Sequence, residues 1–177
     1  MTTEIIAAGF GGQGIMSMGK FIAEAAVNQD LNVSWVPSYG PEMRGGTANC
    51  SIIISDKAIG SPVVTNPSVL IAMNRPSLNK FEGQISPDGT IFVNSSIIKS
   101  VAEGRDIKAF YVPCDEVANT LGNGKVANMV MLGAFAAATG VLKLQAIKDL
   151  IIEKYTGAKA KLADLNINAL ECGAQGI

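Results

Sequence analysis

Ile5-Ile6-Ala7-Ala8-Gly9-Phe10-Gly11-Gly12-Gln13-Gly14-Ile15 is the stretch on which the fold turns. Its first four residues are an uninterrupted apolar run, and the next six hold four glycines. Beyond them the period changes: Ile15, Met18, Ile22, Ala25 and Ala26 recur on one face of a helix running to about Asn28. Strand, tight turn and helix in that order form the opening unit of an α/β fold.

Working outward, Val33 to Val36 predicts a second strand, followed by the irregular run Pro37-Ser38-Tyr39-Gly40-Pro41-Glu42-Met43-Arg44-Gly45-Gly46. Two prolines and three glycines in ten residues exclude a helix or a central strand. Thr47 to Ser55 contains the β-branched run Ile52-Ile53-Ile54 and predicts a buried strand, with Asp56-Lys57 as the turn after it. Val69 to Met73 is apolar throughout, as a strand covered on both faces must be. A short helix is expected from near Pro76, and strands at Ile91 to Asn94 and Ala109 to Val112. From Asp115, read as an N-cap, the chain turns helical: Glu116 to Leu121, Lys125 to Ala138, Leu144 to Tyr155, and Lys161 to Cys172. The Lys125 to Ala138 segment has no polar face, so it belongs in the core, and Gly140 ends it. The expected fold is α/β: a largely parallel sheet flanked by helices, with a Rossmann-like glycine-rich first strand-turn-helix and a helical C-terminal part. It occupies one domain, residues 1–177, since that length suits one core and no linker or repeat interrupts it.

Composition excludes several functions. Lysine and arginine number 14 against 15 acids, a net charge of -1, so the electrostatic footprint of a nucleic-acid binder is missing. Histidine is absent, which removes Ser-His and Cys-His catalysis. Cys50, Cys114 and Cys172 are far apart in sequence, without the spacing of a zinc or iron–sulfur site, and are expected to be small buried or half-buried thiols. With no signal-peptide pattern and no apolar run of about 18 residues, a soluble cytoplasmic protein without a membrane partner is expected. Charged residues make up only 16% of the chain, against roughly 25% in typical domains. A large core or a surface covered by other chains would each account for that.

Gly9-x-Gly11-x-x-Gly14 matches the dinucleotide fingerprint and stands between a strand and a helix, where backbone N–H groups can hold a phosphate. The acid that should close on a ribose hydroxyl after the second strand is missing, since that region reads Val36-Pro37-Ser38-Tyr39. Gln13 also stands where such turns carry something small and apolar. Three readings of the turn stay open: a dinucleotide, another phosphate-bearing ligand, or a turn serving only packing or a protein contact. In the segment Ser38 to Gly46, Glu42 and Arg44 either face a ligand, arginine being suited to bidentate recognition of carboxylate or phosphate, or form an exposed ion pair of little worth. Asn66, Asn74, Asn94 and Asn128 are expected to satisfy loop backbones. Met129, Met131 and Leu132 with Gly133 and Ala134 read as close helix packing, and Trp35 as core or interface.

Gly9 to Gly14, Pro37 to Cys50, Gly60-Ser61-Pro62-Val63-Val64, Ala72-Met73-Asn74 with Pro76-Ser77-Leu78, Val93-Asn94-Ser95-Ser96 and Asn128 to Ala134 occur in an order that resembles the gamma subunit of 2-oxoacid:ferredoxin oxidoreductases, nearest to the 2-oxoglutarate enzyme. The likeness extends from about Glu4 to Gly140. It implies a heteromeric enzyme that decarboxylates a 2-oxoacid oxidatively, passes the acyl group to coenzyme A, and reduces ferredoxin or a similar acceptor. In that family thiamine diphosphate, Mg and the iron–sulfur clusters belong to other subunits, so no catalytic residue, metal ligand or tightly held cofactor is expected of this chain. The implied partners are alpha, beta and delta-type subunits, with ferredoxin reached through the complex. Gly11, Gly12, Gln13, Gly14 and Arg44 become candidate contacts to coenzyme A phosphates; Tyr39, Glu42, Arg44, Gly45 and Gly46 become candidates for the thiamine-carrying partner's surface. The same role in a pyruvate or branched-chain enzyme, a purely structural subunit, and a stand-alone nucleotide-binding oxidoreductase are the alternatives. Under the subunit reading the charge shortage reflects covered surface, and the chain alone should be inactive and prone to self-association.

Overall fold

Alternation in the first strand sets the two layers of the core. In a computed structural model, which describes residues 1–38, 47–101 and 107–177, β1 spans Thr2–Phe10. Ile5 and Ala7 face one side of the sheet, Ile6 and Ala8 the other, and all four are buried. Then come α1 (Ile15–Val27), β2 (Asn32–Ser38), β3 (Thr47–Ser55), β4 (Val69–Ala72), α2 (Arg75–Phe81), β5 (Thr90–Asn94) and β6 (Lys108–Val112). The helical part holds α3 (Cys114–Thr120), α4 (Ala127–Thr139), α5 (Leu144–Lys154) and α6 (Ala160–Gln175).

The six strands form one sheet in the order β2-β3-β1-β4-β5-β6. β1, β4, β5 and β6 pair in parallel, while β3 runs antiparallel to both β1 and β2. Five strands therefore point one way and β3 opposes them, which is the expected largely parallel sheet.

Helices are unevenly shared between the faces. On one, Ile5, Ala7, Ile52, Ile71 and Phe92 pack with apolar residues of α1, α3, α4, α5 and α6. On the other, Ile6, Ala8, Leu70, Ala72, Ile91 and Val93 lie with Leu78 and Phe81 of α2 and with Ile98. Every residue of β4 is buried, so its apolar run needs no alternation. In α4 all residues from Ala127 to Ala136 are buried, as its lack of a polar face requires. It packs on α6 through two glycines: a Cβ on Gly133 would overlap the Leu170 carbonyl, and one on Gly173 the Val130 carbonyl. Main chain meets main chain there, so the small residues read as close packing serve that purpose.

Local differences from the sequence reading have physical causes. β2 continues through Pro37 and Ser38, which the sequence assigned to the loop; it is an edge strand, where proline's missing N–H costs no ladder bond. Asp115 is not the cap of α3. It lies inside the first turn, and the hydroxyl of Ser96, from the segment after β5, accepts from the N–H groups of Asp115 and Glu116 instead. Gly124–Val126 is a 3-10 turn leading into α4. Cys172 is exposed, whereas Cys50 and Cys114 are buried as expected. Among the described residues no helix is long and apolar enough to cross a membrane.

The carboxyl ends of the parallel strands lie along one edge. There β1 delivers the glycine turn, β4 delivers Asn74, β5 delivers Asn94, and the N-terminus of α4 arrives from above with Asn128. Open α/β sheets place their ligand crevice at this edge.

Candidate functional site

The turn after β1 is shaped by three kinds of constraint. At Gly9 a Cβ would lie 2.7 Å from the Ile15 side chain and 2.8 Å from Gln13 Oε1, so any larger residue would push those side chains aside. Gly12 and Gly14 have φ of 97° and 73°, the left-handed region that disfavours any Cβ. Gly14 is also crowded by Asn128, whose Cγ would lie 2.8 Å from a Cβ there.

Gln13, the polar residue out of place for a dinucleotide turn, is the hub. Its Oε1 accepts from Phe10 N at 2.7 Å and from Asn74 Nδ2 at 3.3 Å, and its Nε2 donates to the Met73 carbonyl at 3.0 Å. Asn74 is fully buried and caps α2 as well, its Oδ1 accepting from Ser77 N at 2.8 Å. From the opposite side Asn128 Nδ2 donates to the Gly14 carbonyl at 3.2 Å. These amides thus satisfy backbone, as expected for Asn74 and Asn128, but they do so around the candidate turn. Asn94 is fully buried and forms a neighbouring cluster, its Nδ2 donating to Asp115 Oδ2 at 2.6 Å and its Oδ1 accepting from Ser96 N at 3.3 Å. Asn66 is exposed.

Gly11 and Gly12 are exposed, and among the described residues no acceptor meets the N–H groups of Gly11, Gly12 or Gly14. The positive ends of α1 and α4, each 13 residues long, converge at Gly14, and neither helix has an acid in its first turn. Unshielded N–H donors between two helix N-termini favour an anionic group. Gly11, Gly12, Gln13 and Gly14 are therefore brought together, with the glycines presenting donors and Gln13 turned inward as a brace. Arg44, Tyr39, Glu42, Gly45 and Gly46 lie outside the described residues. The residues flanking them do return to this edge, since Ser38 pairs with Asn49 in β3 and Gly9 of β1 pairs with Ala48.

Arg75, the first residue of α2, is a cation that no sequence motif marks; its Nη1 donates to the Ser100 carbonyl at 2.7 Å. Its only sequence signal was an arginine at a strand end in a charge-poor chain. The dinucleotide reading loses further ground here. β3 separates β2 from β1, so the end of β2, where a ribose-binding acid belongs, is one strand removed from the glycine turn.

The thiols are not arranged for chemistry. Burial pushes the Cys50 thiol up to about 11, with the Trp35 indole partly offsetting it, and burial followed by the Asp115 charge raises that of Cys114 further. Both are protonated at neutral pH. Among the described residues no group of three or more potential ligands could hold a metal ion.

The family model described as pyruvate ferredoxin/flavodoxin oxidoreductase matches residues 4–176, all the strands and helices described above save the first two residues of β1. The chain belongs to this family. It is 41% identical over 169 residues to the ketoisovalerate oxidoreductase subunit VorA of Methanothermobacter marburgensis, covering 94% of this chain and 35% of that protein. It is 37% identical over 158 residues to the 2-oxoglutarate synthase subunit KorC of the same organism, covering 85% of each. The gamma subunit of a keto/oxoacid ferredoxin oxidoreductase from Geobacter sulfurreducens superposes with a TM-score of 0.86 at 28% identity, over 99% of this chain and 96% of that one. This chain thus spans about a third of the VorA relative and most of the KorC and gamma-subunit chains. The match also carries α5 and α6, beyond Gly140 where the sequence motifs stop.

Proposed function

We propose that this chain is the gamma subunit of a cytoplasmic, multi-subunit 2-oxoacid:ferredoxin oxidoreductase, working with alpha, beta and delta-type subunits. The observation that carries it is near end-to-end correspondence with chains that are themselves single subunits of such enzymes. The reaction converts a 2-oxoacid and coenzyme A to an acyl-CoA and CO2 while two electrons pass to ferredoxin. Thiamine diphosphate with Mg supplies the stabilised carbanion and iron–sulfur clusters the electron path. The described residues of this chain fit neither group: they hold no set of metal ligands, and two of the three thiols are buried singly in the core. Those cofactors are assigned to the partner subunits.

What this chain offers is the crevice. The N–H groups of Gly11, Gly12 and Gly14, which no acceptor among the described residues meets, suit a phosphate of coenzyme A, with Arg44 as a further contact, while Tyr39, Glu42, Arg44, Gly45 and Gly46 are assigned to the surface met by the thiamine-carrying partner. For the substrate, 2-oxoglutarate yielding succinyl-CoA is the first reading, supported by the KorC relative. A branched-chain 2-oxoacid is the second, favoured by the higher identity to VorA. Coenzyme A titration of the complex tests the site. Arg44→Ala should raise the KM for coenzyme A; unchanged affinity would remove Arg44, and a coenzyme A complex with no contact to Gly11 through Gly14 would overturn the turn's assignment.

A further inference from the structure

The glycine turn contains its own brace, and glycine alone does not account for its shape. β1 and β4 are already joined by the ladder from Ile5–Val69 to Ala8–Ala72 and by the bond from Met73 N to the Ala8 carbonyl. The sheet therefore does not need the Gln13 side chain. Yet Gln13 uses both ends of its carboxamide: the oxygen holds the start of the turn at Phe10, and the nitrogen ties it to Met73 at the end of the neighbouring strand. Asn74, with no exposed surface, uses its remaining amide nitrogen on the same oxygen. A buried amide committed in this way is costly to desolvate unless every group is satisfied, and here both of its polar atoms are.

The object held is a turn with glycines at 9, 11, 12 and 14, two of them in the left-handed region, whose outer face is exposed. Unbraced, such a segment has more backbone freedom than one of ordinary composition, and freezing it on binding would cost affinity. We infer that Gln13 and Asn74 are positioning residues that pre-form the Gly11–Gly12 turn for its phosphate-bearing ligand. This rests on the reading of coenzyme A as that ligand. Neither side chain is needed to touch it; they act through the orientation of the glycine N–H groups.

Asn74→Asp isolates the effect. Ionised aspartate keeps the oxygen that caps α2 at Ser77 but turns the donor facing Gln13 into an acceptor, so the Asn74 arm of the brace is lost while the helix cap remains. Gln13→Glu is the second variant, keeping an acceptor for Phe10 N and losing the donor to Met73. In the assembled complex, hydrogen exchange at the Phe10 and Gln13 amides, the hydrogen-bonded ones of the turn, should speed up about tenfold. The KM for coenzyme A should rise by a similar factor, with kcat at saturating coenzyme A and the KM for the 2-oxoacid unchanged; about tenfold is what the loss of one such hydrogen bond gives. Unchanged exchange in both variants would overturn the brace whatever coenzyme A does. Faster exchange with unchanged coenzyme A KM would leave the brace standing and overturn the assignment of coenzyme A to this turn.

Discussion

Gly12→Ala and Gly140→Ala form a matched pair that separates backbone strain from ligand contact. Gly12 has φ of 97° and Gly140 φ of 64°, and a Cβ at either meets nothing within 4 Å. In both, the folded chain bears only the penalty of a side chain in the left-handed region, about 1–2 kcal/mol. At roughly 2–4 °C per kcal/mol for a chain of this size, each variant should lose about 2–8 °C in Tm. Their places differ. Gly140 closes the C-terminal end of α4, a helix about 20 Å long at 1.5 Å per residue, while the other end of that helix meets the glycine turn through Asn128. At Gly12 the methyl would project into the exposed space where the phosphate is assigned. Losing one charge-assisted hydrogen bond of about 1.5–3 kcal/mol corresponds to a rise of roughly 10- to 150-fold in coenzyme A KM. The assay is coenzyme A-dependent ferredoxin reduction by the assembled complex, with thermal unfolding of each isolated variant as the control. Equal coenzyme A KM for the two variants, at equal loss of Tm, would refute the placement of a ligand on this turn.

Other outcomes test the packing and the thiols. Gly173→Ala gains about 1 kcal/mol of helix propensity but drives a Cβ into the Val130 carbonyl, and overpacking of about 1–3 kcal/mol should leave it net destabilised in urea unfolding; a variant more stable than the parent would mean that α4 and α6 do not approach as closely as described. Of the three thiols, Cys172 alone should react rapidly with an aromatic disulfide reagent at pH 8, Cys50 and Cys114 responding only after denaturation, as thiol counting would reveal. Both buried thiols have folded pKa values above those of the unfolded chain. Their stabilising contribution is therefore complete at neutral pH and is lost upward from about pH 8.5, so the urea midpoint should fall through pH 9–11; a flat profile there would contradict the burial.

The sequence made some features legible because their causes are local. The period change at Ile15 follows from helix geometry, and the uniform apolarity of Val69 to Met73 from burial on both faces; both appear in the structure. The apolar α4 announced its own burial for the same reason. Features set by distant partners were not legible. Whether Asp115 or Ser96 caps α3 depends on where the segment after β5 passes, and whether Pro37 can enter a strand depends on β2 being an edge. The exposure of Cys172 depends on which flank of α6 meets α4. At the site, the glycine spacing marked the turn, but the purpose of Gln13 required knowing that β4 ends beside β1 and delivers Asn74 there. Arg75 was hidden because its neighbourhood is created by the strand order.

The shortage of charge in the sequence also finds a physical counterpart. α4 accounts for part of it as core, while Phe10 and Val36 remain exposed on a chain whose structural relative is a gamma subunit. The central claim, that this polypeptide is one working part of a larger oxidoreductase, is tested most directly by reconstitution. The measurement is coenzyme A-dependent reduction of ferredoxin by 2-oxoglutarate and by 3-methyl-2-oxobutanoate, with this chain alone, with its partner subunits alone, and with all subunits together. The account predicts no turnover by this chain alone and full turnover only when all subunits are present; complete 2-oxoacid oxidation by the isolated polypeptide, or an undiminished rate in the complex lacking it, would contradict it.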